Sequence, residues 1–108
     1  MKYKVLHILS IVMLTATLGR IDYNGHQETF YNLPMRKVVA RAERNGICLD
    51  YWERKDGCKM YGKYIICACD WDVYPYGSII DTSRGPGIVL DTGKFKGDLV
   101  DVATTWKR

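Results

Sequence analysis

The chain has 108 residues, the length of one domain. Its 16 basic and 12 acidic residues give a formal net charge of +4, and no basic run is longer than two residues. A nucleic-acid-binding surface is therefore not expected.

Residues 1–19 predict an export signal. Lys2 and Lys4 precede a long apolar run, the pattern of a secretory signal peptide. The run is shorter than the roughly 20 apolar residues of a comfortable membrane span. Because neither Ala16 nor Gly19 lies in a clean cleavage context, an uncleaved membrane anchor stays an alternative. We expect a secreted or cell-envelope protein that contacts a membrane only through this segment.

One helix is predicted, over residues 34–44. Asn32 can cap it, Pro34 suits its first turn, and apolar residues follow at helical spacing from Met35 onward. Residues 20–32 are polar without a clear period and are interpreted as a linker or an irregular first strand. The folded domain is accordingly expected over residues 33–108.

After Gly46 the chain consists of short apolar segments separated by turn residues, which indicates β-structure. The nearly continuous apolar run at 64–69 is typical of a strand buried on both faces. About six short strands and one N-terminal helix predict a mostly β protein, and a small closed barrel would leave no sheet edge unpaired. The clearest strand segments are 47–52, 64–69, 78–82, 87–90 and 99–104, with a loop at 83–87.

Four cysteines, Cys48, Cys58, Cys67 and Cys69, are candidates for disulfides if the chain is exported. Cys67 and Cys69 lie two apart in a predicted strand, so a bond between them is awkward. Each is expected to pair with Cys48 or Cys58 or to stay free. The spacing lacks the paired Cys knuckles of a zinc site, so neither a metal nor a cofactor is expected.

Three carboxylates, Asp70, Asp91 and Asp101, end apolar runs or lie within them. A buried carboxylate needs a partner, a proton or a cleft. Because His7 and His26 both lie outside the predicted barrel, carboxylates would have to carry any acid–base chemistry. The simpler alternative is that these aspartates only end strands or cap turns.

The tripeptide Asp91-Thr92-Gly93 also allows the hypothesis of an aspartic protease. Such an enzyme shares one proton between two apposed aspartates, so this short chain would have to dimerise. Lys94 and Phe95 follow the tripeptide, where retroviral-type proteases have a small residue, and no later segment of two apolar residues and a glycine is present.

An ordered set of segments over residues 62–106 resembles the three-aspartate (3D) domain. The set comprises Gly-Lys-Tyr-Ile-Ile-Cys-Ala-Cys-Asp, Val-Tyr-Pro-Tyr-Gly-Ser, Gly-Ile-Val-Leu-Asp-Thr-Gly and Leu-Val-Asp-Val. The resemblance implies a six-stranded double-psi β-barrel, similar to that of lytic transglycosylase A and of stationary-phase survival and resuscitation-type secreted proteins. Small forms of this family occur in Firmicutes and their phages.

The resemblance also implies cleavage of peptidoglycan glycan strands by a lytic transglycosylase reaction. Asp101 matches the single acid/base of the family, and Asp91 and Asp70 match the aspartates that support it. Ordinary glycosidases need two catalytic carboxyl groups, whereas this reaction needs one. The product would carry a 1,6-anhydro-muramic end.

Two departures from the family pattern affect the substrate contacts. Lys94 replaces a second glycine, and the segment from Asp91 to Asp101 is one residue shorter than in the family. The rival hypothesis is a non-catalytic, expansin-like barrel that binds cell-wall polysaccharide. Candidate substrate-binding residues are Lys59, Tyr61, Trp71, Thr92 and Gly93.

Overall fold

Eight strands and one helix follow one another along residues 20–106, the part of the chain that the computed structural model describes. They are β1 (Ile21–Tyr23), β2 (His26–Tyr31), α1 (Arg36–Arg44), β3 (Tyr51–Glu53), β4 (Lys59–Tyr61), β5 (Tyr64–Cys69), β6 (Ile79–Thr82), β7 (Gly85–Asp91) and β8 (Val100–Ala103). The mostly β class is confirmed. The predicted export signal lies outside the described residues, and no helix within them is long and apolar enough to cross a membrane.

The strands form an open mixed sheet. Its main path runs β1-β2-β8-β5-β4-β3. Strand β7 pairs with β5 outside this path, and β6 pairs with β7. The pairs β2–β8 and β5–β7 are parallel, and the others are antiparallel. The sheet has eight strands where six were expected, and its pairing does not confirm a closed barrel. The helix lies between β2 and β3 rather than before the first strand.

Strand β5 is the centre of the core, as its apolar sequence predicts. It has strand neighbours on both edges, and residues 65–69 are all buried. Alternate side chains face two separate hydrophobic clusters. Ile65, Cys67 and Cys69 pack in one cluster with Phe30, Val100 and Val102. Ile66 packs in the other with Ile88, Leu90, Ala103 and the helix residues Val38 and Ala42.

The helix begins two residues later than predicted. Met35 is at the N-cap position, and no side chain caps the helix. The side chain of Asn32, the predicted cap, donates instead to the carbonyl of Thr105, at 2.8 Å. The helix ends as expected, because Gly46 adopts a positive φ of 83° that favours glycine.

Residues 20–32, interpreted as a linker or an irregular first strand, contain β1 and β2, which form a hairpin that belongs to the sheet. Its two-residue turn places Asn24 and Gly25 at φ angles of 47° and 89°. Positive φ at both central residues is the favoured geometry of a tight hairpin. Strand β2 then pairs with β8, so the folded domain begins at Ile21 rather than at residue 33.

Strand β7 begins inside the predicted loop at 83–87. Only Ser83 and Arg84 form the turn, and Gly85 starts the strand. Gly87 pairs with Ile65, and a Cβ atom at residue 87 would lie 2.7 Å from the Cys67 sulfur. The glycine is therefore needed for the close approach of β7 to β5. The strand predicted at 47–52 is also displaced, to Tyr51–Glu53.

All four cysteines are free thiols, so none of the candidate disulfide pairs is formed in this structure. Cys48 is exposed, whereas Cys58, Cys67 and Cys69 are buried. Burial raises the pKa of each buried thiol. For Cys69 burial and the nearby charges of Asp101 and Asp70 raise the pKa to about 12.

This arrangement predicts that thiol reactivity separates into two classes. Ellman's reagent at about pH 8 should react quickly with Cys48 alone, because a thiolate is the reacting form and the other three sulfurs are buried. After denaturation without reductant, all four thiols should react. The Cys48→Ser variant is the control and should show no fast thiol. Fewer than four thiols in denaturant would contradict this arrangement and indicate disulfides.

Candidate functional site

The three aspartates lie at one end of the sheet, where β5 and β7 end and β8 begins. Asp91 and Asp101 both pair with Ala68, on opposite edges of β5. Directly paired residues project from the same face, so the two carboxylates flank the small Ala68 side chain. With strands about 4.8 Å apart, their Cα atoms are separated by about 10 Å.

A register shift in β7 brings Asp91 into this row. Val89 pairs with Cys67, whereas the next residue of β5, Ala68, pairs with Asp91. Leu90 is thus the extra residue of a β-bulge, and its side chain joins the cluster beneath the helix. Without the bulge, Leu90 would stand opposite Ala68.

Two hydroxyl groups from β2 bind the two carboxylates. Thr29 pairs with Asp101, and its Oγ1 donates to Oδ1 of Asp101 at 2.8 Å. The Tyr31 hydroxyl donates to Oδ2 of Asp91 at 3.0 Å, while Oδ1 accepts the backbone N–H of Thr92. Thr29 and Tyr31 are two apart in a strand and therefore share a face. Both carboxylates are half-buried.

The Tyr31 hydroxyl is held in its protonated form. Burial is the main cause that raises its pKa far above the usual value, followed by the charge of Asp91 and the hydrogen bond to it, and then by the charge of Asp101. The charges of Asp91 and Asp101 thus both raise the pKa of the Tyr31 phenol. Tyr31 is a fixed hydrogen-bond donor at neutral pH.

Asp70 is placed differently from the other two. It is buried, and its oxygens accept the backbone N–H groups of Asp72 and Gly97, each at 3.0 Å. These two hydrogen bonds hold its pKa below the usual range. Asp70 therefore fastens the loop before β8 to the end of β5. It shares the end of the sheet with the other two aspartates, but its oxygens are engaged by backbone.

Lys59 and Tyr61, the predicted substrate contacts on β4, are both buried there. The Lys59 ammonium, in a residue only 5% exposed, donates to Oδ1 of Asn32 at 2.7 Å and to the carbonyl of Leu33 at 2.6 Å. The Tyr61 hydroxyl donates to the carbonyl of Ile47 at 2.6 Å. Both residues tie surface segments to the sheet.

Trp71, Thr92 and Gly93 do lie next to Asp91. Trp71 is half-buried, and its indole N–H donates to the Asp91 carbonyl at 3.0 Å. The Thr92 hydroxyl donates to the Cys69 carbonyl at 2.8 Å. Gly93 is exposed on one side and covered on the other by Phe95, whose ring would be 2.5 Å from an added Cβ. These residues form the rim beside Asp91.

A buried polar cluster, formed by His26, Glu28 and Ser83, was not predicted from the sequence. Glu28 is fully buried, and its Oε1 accepts the Ser83 hydroxyl at 2.6 Å. Its Oε2 accepts the Ser83 backbone N–H at 3.0 Å and contacts Nε2 of His26 at 2.8 Å. The glutamate stands between serine and histidine, so the order differs from that of a hydrolase triad. His26 belongs to the sheet and not to a linker.

No protein-family model matches the chain, and no curated protein matches its sequence. The resemblance to the 3D domain therefore stays a prediction.

The Tyr31→Phe variant tests the hydroxyl that binds Asp91. The variant should lose about 1–2 kcal/mol of unfolding free energy at neutral pH, because the hydrogen bond to a charged group is removed. In the wild type the unfolded chain releases the Tyr31 proton near pH 10 while the folded protein keeps it, so stability falls as the pH rises above about 10. The deficit of the variant should therefore shrink in urea unfolding measured above pH 10. A deficit that stays constant would contradict the raised pKa.

The Lys59→Met variant tests the buried ammonium. We expect a loss of about 2 kcal/mol in unfolding free energy, since two hydrogen bonds from a charged donor disappear. Lys55→Met, at an exposed turn position, is the matched control and should change stability little. Equal effects of the two substitutions would show that the Lys59 contacts contribute nothing to stability.

Proposed function

We propose that this protein cleaves peptidoglycan glycan strands as a lytic transglycosylase, with Asp101 as the acid/base. The observation that carries the proposal is the row formed by Asp91, Ala68 and Asp101 across three adjacent strands. In this row the half-buried carboxyl group of Asp101 lies on the same face as the carboxylate of Asp91, and only the methyl side chain of Ala68 stands between them.

The proposal includes a double-psi arrangement of the strands. Two parallel pairs, β2–β8 and β5–β7, joined by the antiparallel pair β5–β8, support it. This pairing brings the carboxyl ends of β5 and β7 together with the amino end of β8. All three aspartates consequently lie at one end of the sheet.

In the proposed reaction, protonated Asp101 donates its proton to the oxygen between N-acetylmuramic acid and N-acetylglucosamine. The C1–O bond breaks, and positive charge develops at C1 of the muramic ring. The Asp101 carboxylate then takes the proton of the C6 hydroxyl as that oxygen bonds to C1. The products are a 1,6-anhydro-muramic end and a free N-acetylglucosamine end, and no water is consumed.

The neighbouring side chains have supporting roles in this scheme. Thr29 fixes the orientation of Asp101 through its hydrogen bond to Oδ1. Asp91, oriented by Tyr31, places a carboxylate where it can stabilise the positive charge that develops on the sugar ring. The half-buried Trp71, with the Arg41 guanidinium 5.9 Å from the centroid of its ring, would contact a sugar at the edge of the site, and the exposed Thr92 and Gly93 complete the rim. The segment 1–19 would direct the protein to the cell envelope.

The Asp101→Asn variant tests this function. Purified sacculi are incubated with the protein, and released anhydro-muropeptides are quantified by liquid chromatography and mass spectrometry. We expect at least about a 100-fold loss of anhydro products, because an amide cannot exchange the proton. The melting temperature of the variant is measured alongside to show that it folds.

Asp72→Asn is the matched control, since it makes the same chemical change at an exposed residue of the same end of the sheet. It should retain activity. Full activity of Asp101→Asn would overturn the catalytic role. Wild-type protein that sediments with sacculi but releases no anhydro products would instead indicate the polysaccharide-binding barrel.

A further inference from the structure

We propose that the free edge of β3 pairs with β3 of a second copy of this chain, in an antiparallel, two-fold symmetric arrangement centred on Trp52. Strand β3 is the last strand of the main path of the sheet, and within residues 20–106 it pairs with β4 alone. All three of its residues are exposed. An unpaired strand edge offers a row of backbone donors and acceptors to another strand.

The register between β3 and β4 shows which backbone groups of β3 are free. The Asp50 carbonyl accepts the backbone N–H of the residue after β4 at 2.7 Å, and the Arg54 N–H donates to the carbonyl of the residue before β4 at 2.9 Å. Hydrogen-bonded pairs alternate along an antiparallel ladder, so Trp52 is also bonded to β4. The N–H and C=O groups of Tyr51 and Glu53 therefore point away from β4, toward the free edge.

One self-pairing satisfies all of these free groups within the strand. It places Tyr51 of each copy opposite Glu53 of the other as a hydrogen-bonded pair, with the two Trp52 residues facing each other on the two-fold axis. With Tyr51 on the axis, the Glu53 groups would have to bond Leu49, which lies outside β3. With Glu53 on the axis, two carboxylates would stand directly opposite each other, which is destabilising. The backbone thus selects the arrangement centred on Trp52.

The charges on either side of β3 are complementary in this arrangement. Asp50 of each copy stands opposite Arg54 of the other. Arg54 and Arg84 both lie within 4 Å of the Asp56 carboxylate, so two cations and one anion leave a net positive charge there. Asp50 is exposed and has no ion pair within the part of the chain that the structure describes. The pairing therefore brings an unpaired carboxylate to a positive cluster, twice by symmetry.

The aromatic side chains of β3 supply apolar surface to the same contact. Trp52 is 44% exposed and Tyr51 is 37% exposed. The Trp52 indole N–H already donates to the Gly62 carbonyl at 2.7 Å, so burial of the ring leaves no polar group unsatisfied. The Tyr51 hydroxyl donates to Glu53 of its own copy at 3.2 Å and would lie beside Glu53 of the other. Because both copies use the same surface, the assembly closes at a dimer.

Sedimentation velocity and amide hydrogen exchange by NMR test the pairing on the same ¹⁵N-labelled protein. The contact is small, so we expect a monomer–dimer equilibrium with a dissociation constant on the order of 0.1 mM. The exchange rates of the Tyr51 and Glu53 amides should then fall about threefold between roughly 0.05 mM and roughly 1 mM protein, because these N–H groups are bonded only in the dimer. The Trp52 amide, which is bonded to β4, should already exchange more slowly than these two at the lower concentration.

Two variants test the charges and the backbone separately. Asp50→Lys should weaken dimerisation at least about tenfold, because like charges would then meet in both symmetric contacts. Asp72→Lys makes the same change at another exposed residue and should dimerise as the wild type does. Glu53→Pro removes an outward N–H and should abolish dimerisation, whereas Glu53→Ala keeps that N–H and should still dimerise. The NMR spectrum and melting temperature of each variant show that it folds.

A protein that stays monomeric at about 1 mM would overturn the proposal. A dimer in which the Tyr51 and Glu53 amides exchange as fast as in the monomer would also overturn it, since another surface would then form the contact. Protection of these amides at every concentration would show that a strand of the same chain covers the edge. Equal dimerisation of Asp50→Lys and Asp72→Lys would contradict the arrangement centred on Trp52. None of these readouts depends on glycan cleavage, so the dimer and the proposed function can fail separately.

Discussion

The pairing of β5 on both of its edges is the constraint on which the candidate site depends. Hydrogen bonds to β7 on one edge and to β8 on the other fix the register at Ala68, and this register alone places Asp91 and Asp101 on the same face. A shift of either neighbour by one residue would turn its carboxylate to the opposite face. The close approach of β7 is possible because Gly87 leaves room for the Cys67 sulfur. The chemistry at the end of the sheet is thus determined by packing in its centre.

The same three aspartates serve unequal purposes. Both carboxylate oxygens of Asp70 accept hydrogen bonds from backbone N–H groups, and a carboxylate stabilised in this way stays ionised. Asp91 and Asp101 each accept from one side-chain hydroxyl and remain half-buried. A proton can be exchanged only by a carboxyl group that a ligand can reach. The structural role therefore belongs to Asp70, and the proposed chemical role to the pair that flanks Ala68.

The parts of the fold that could be predicted are those where the apolar pattern is strong. The continuous run of β5 indicated a buried strand at its observed bounds, and residues 34–44 indicated the helix to within two residues. Strand β2 could be predicted only as a linker or an irregular strand, because its buried face carries His26 and Glu28. The alternation of buried and exposed residues is therefore not an alternation of apolar and polar ones. The burial of Lys59 could not be predicted for a related reason: its residue type is usually exposed, and only the fold supplies the acceptors that satisfy its charge.

Strand β2 also explains how two polar clusters can coexist at one end of a small sheet. Successive side chains of a strand point to opposite faces, so Thr29 and Tyr31 bind the aspartates on one face while His26 and Glu28 belong to the other. The cost of burying Glu28 is offset by three hydrogen bonds, two of which come from the β6–β7 turn. Those bonds join the hairpin to the strand that carries Asp91. The buried cluster of His26, Glu28 and Ser83 and the aspartate row are therefore carried by the same strands, although no side chain is shared between them.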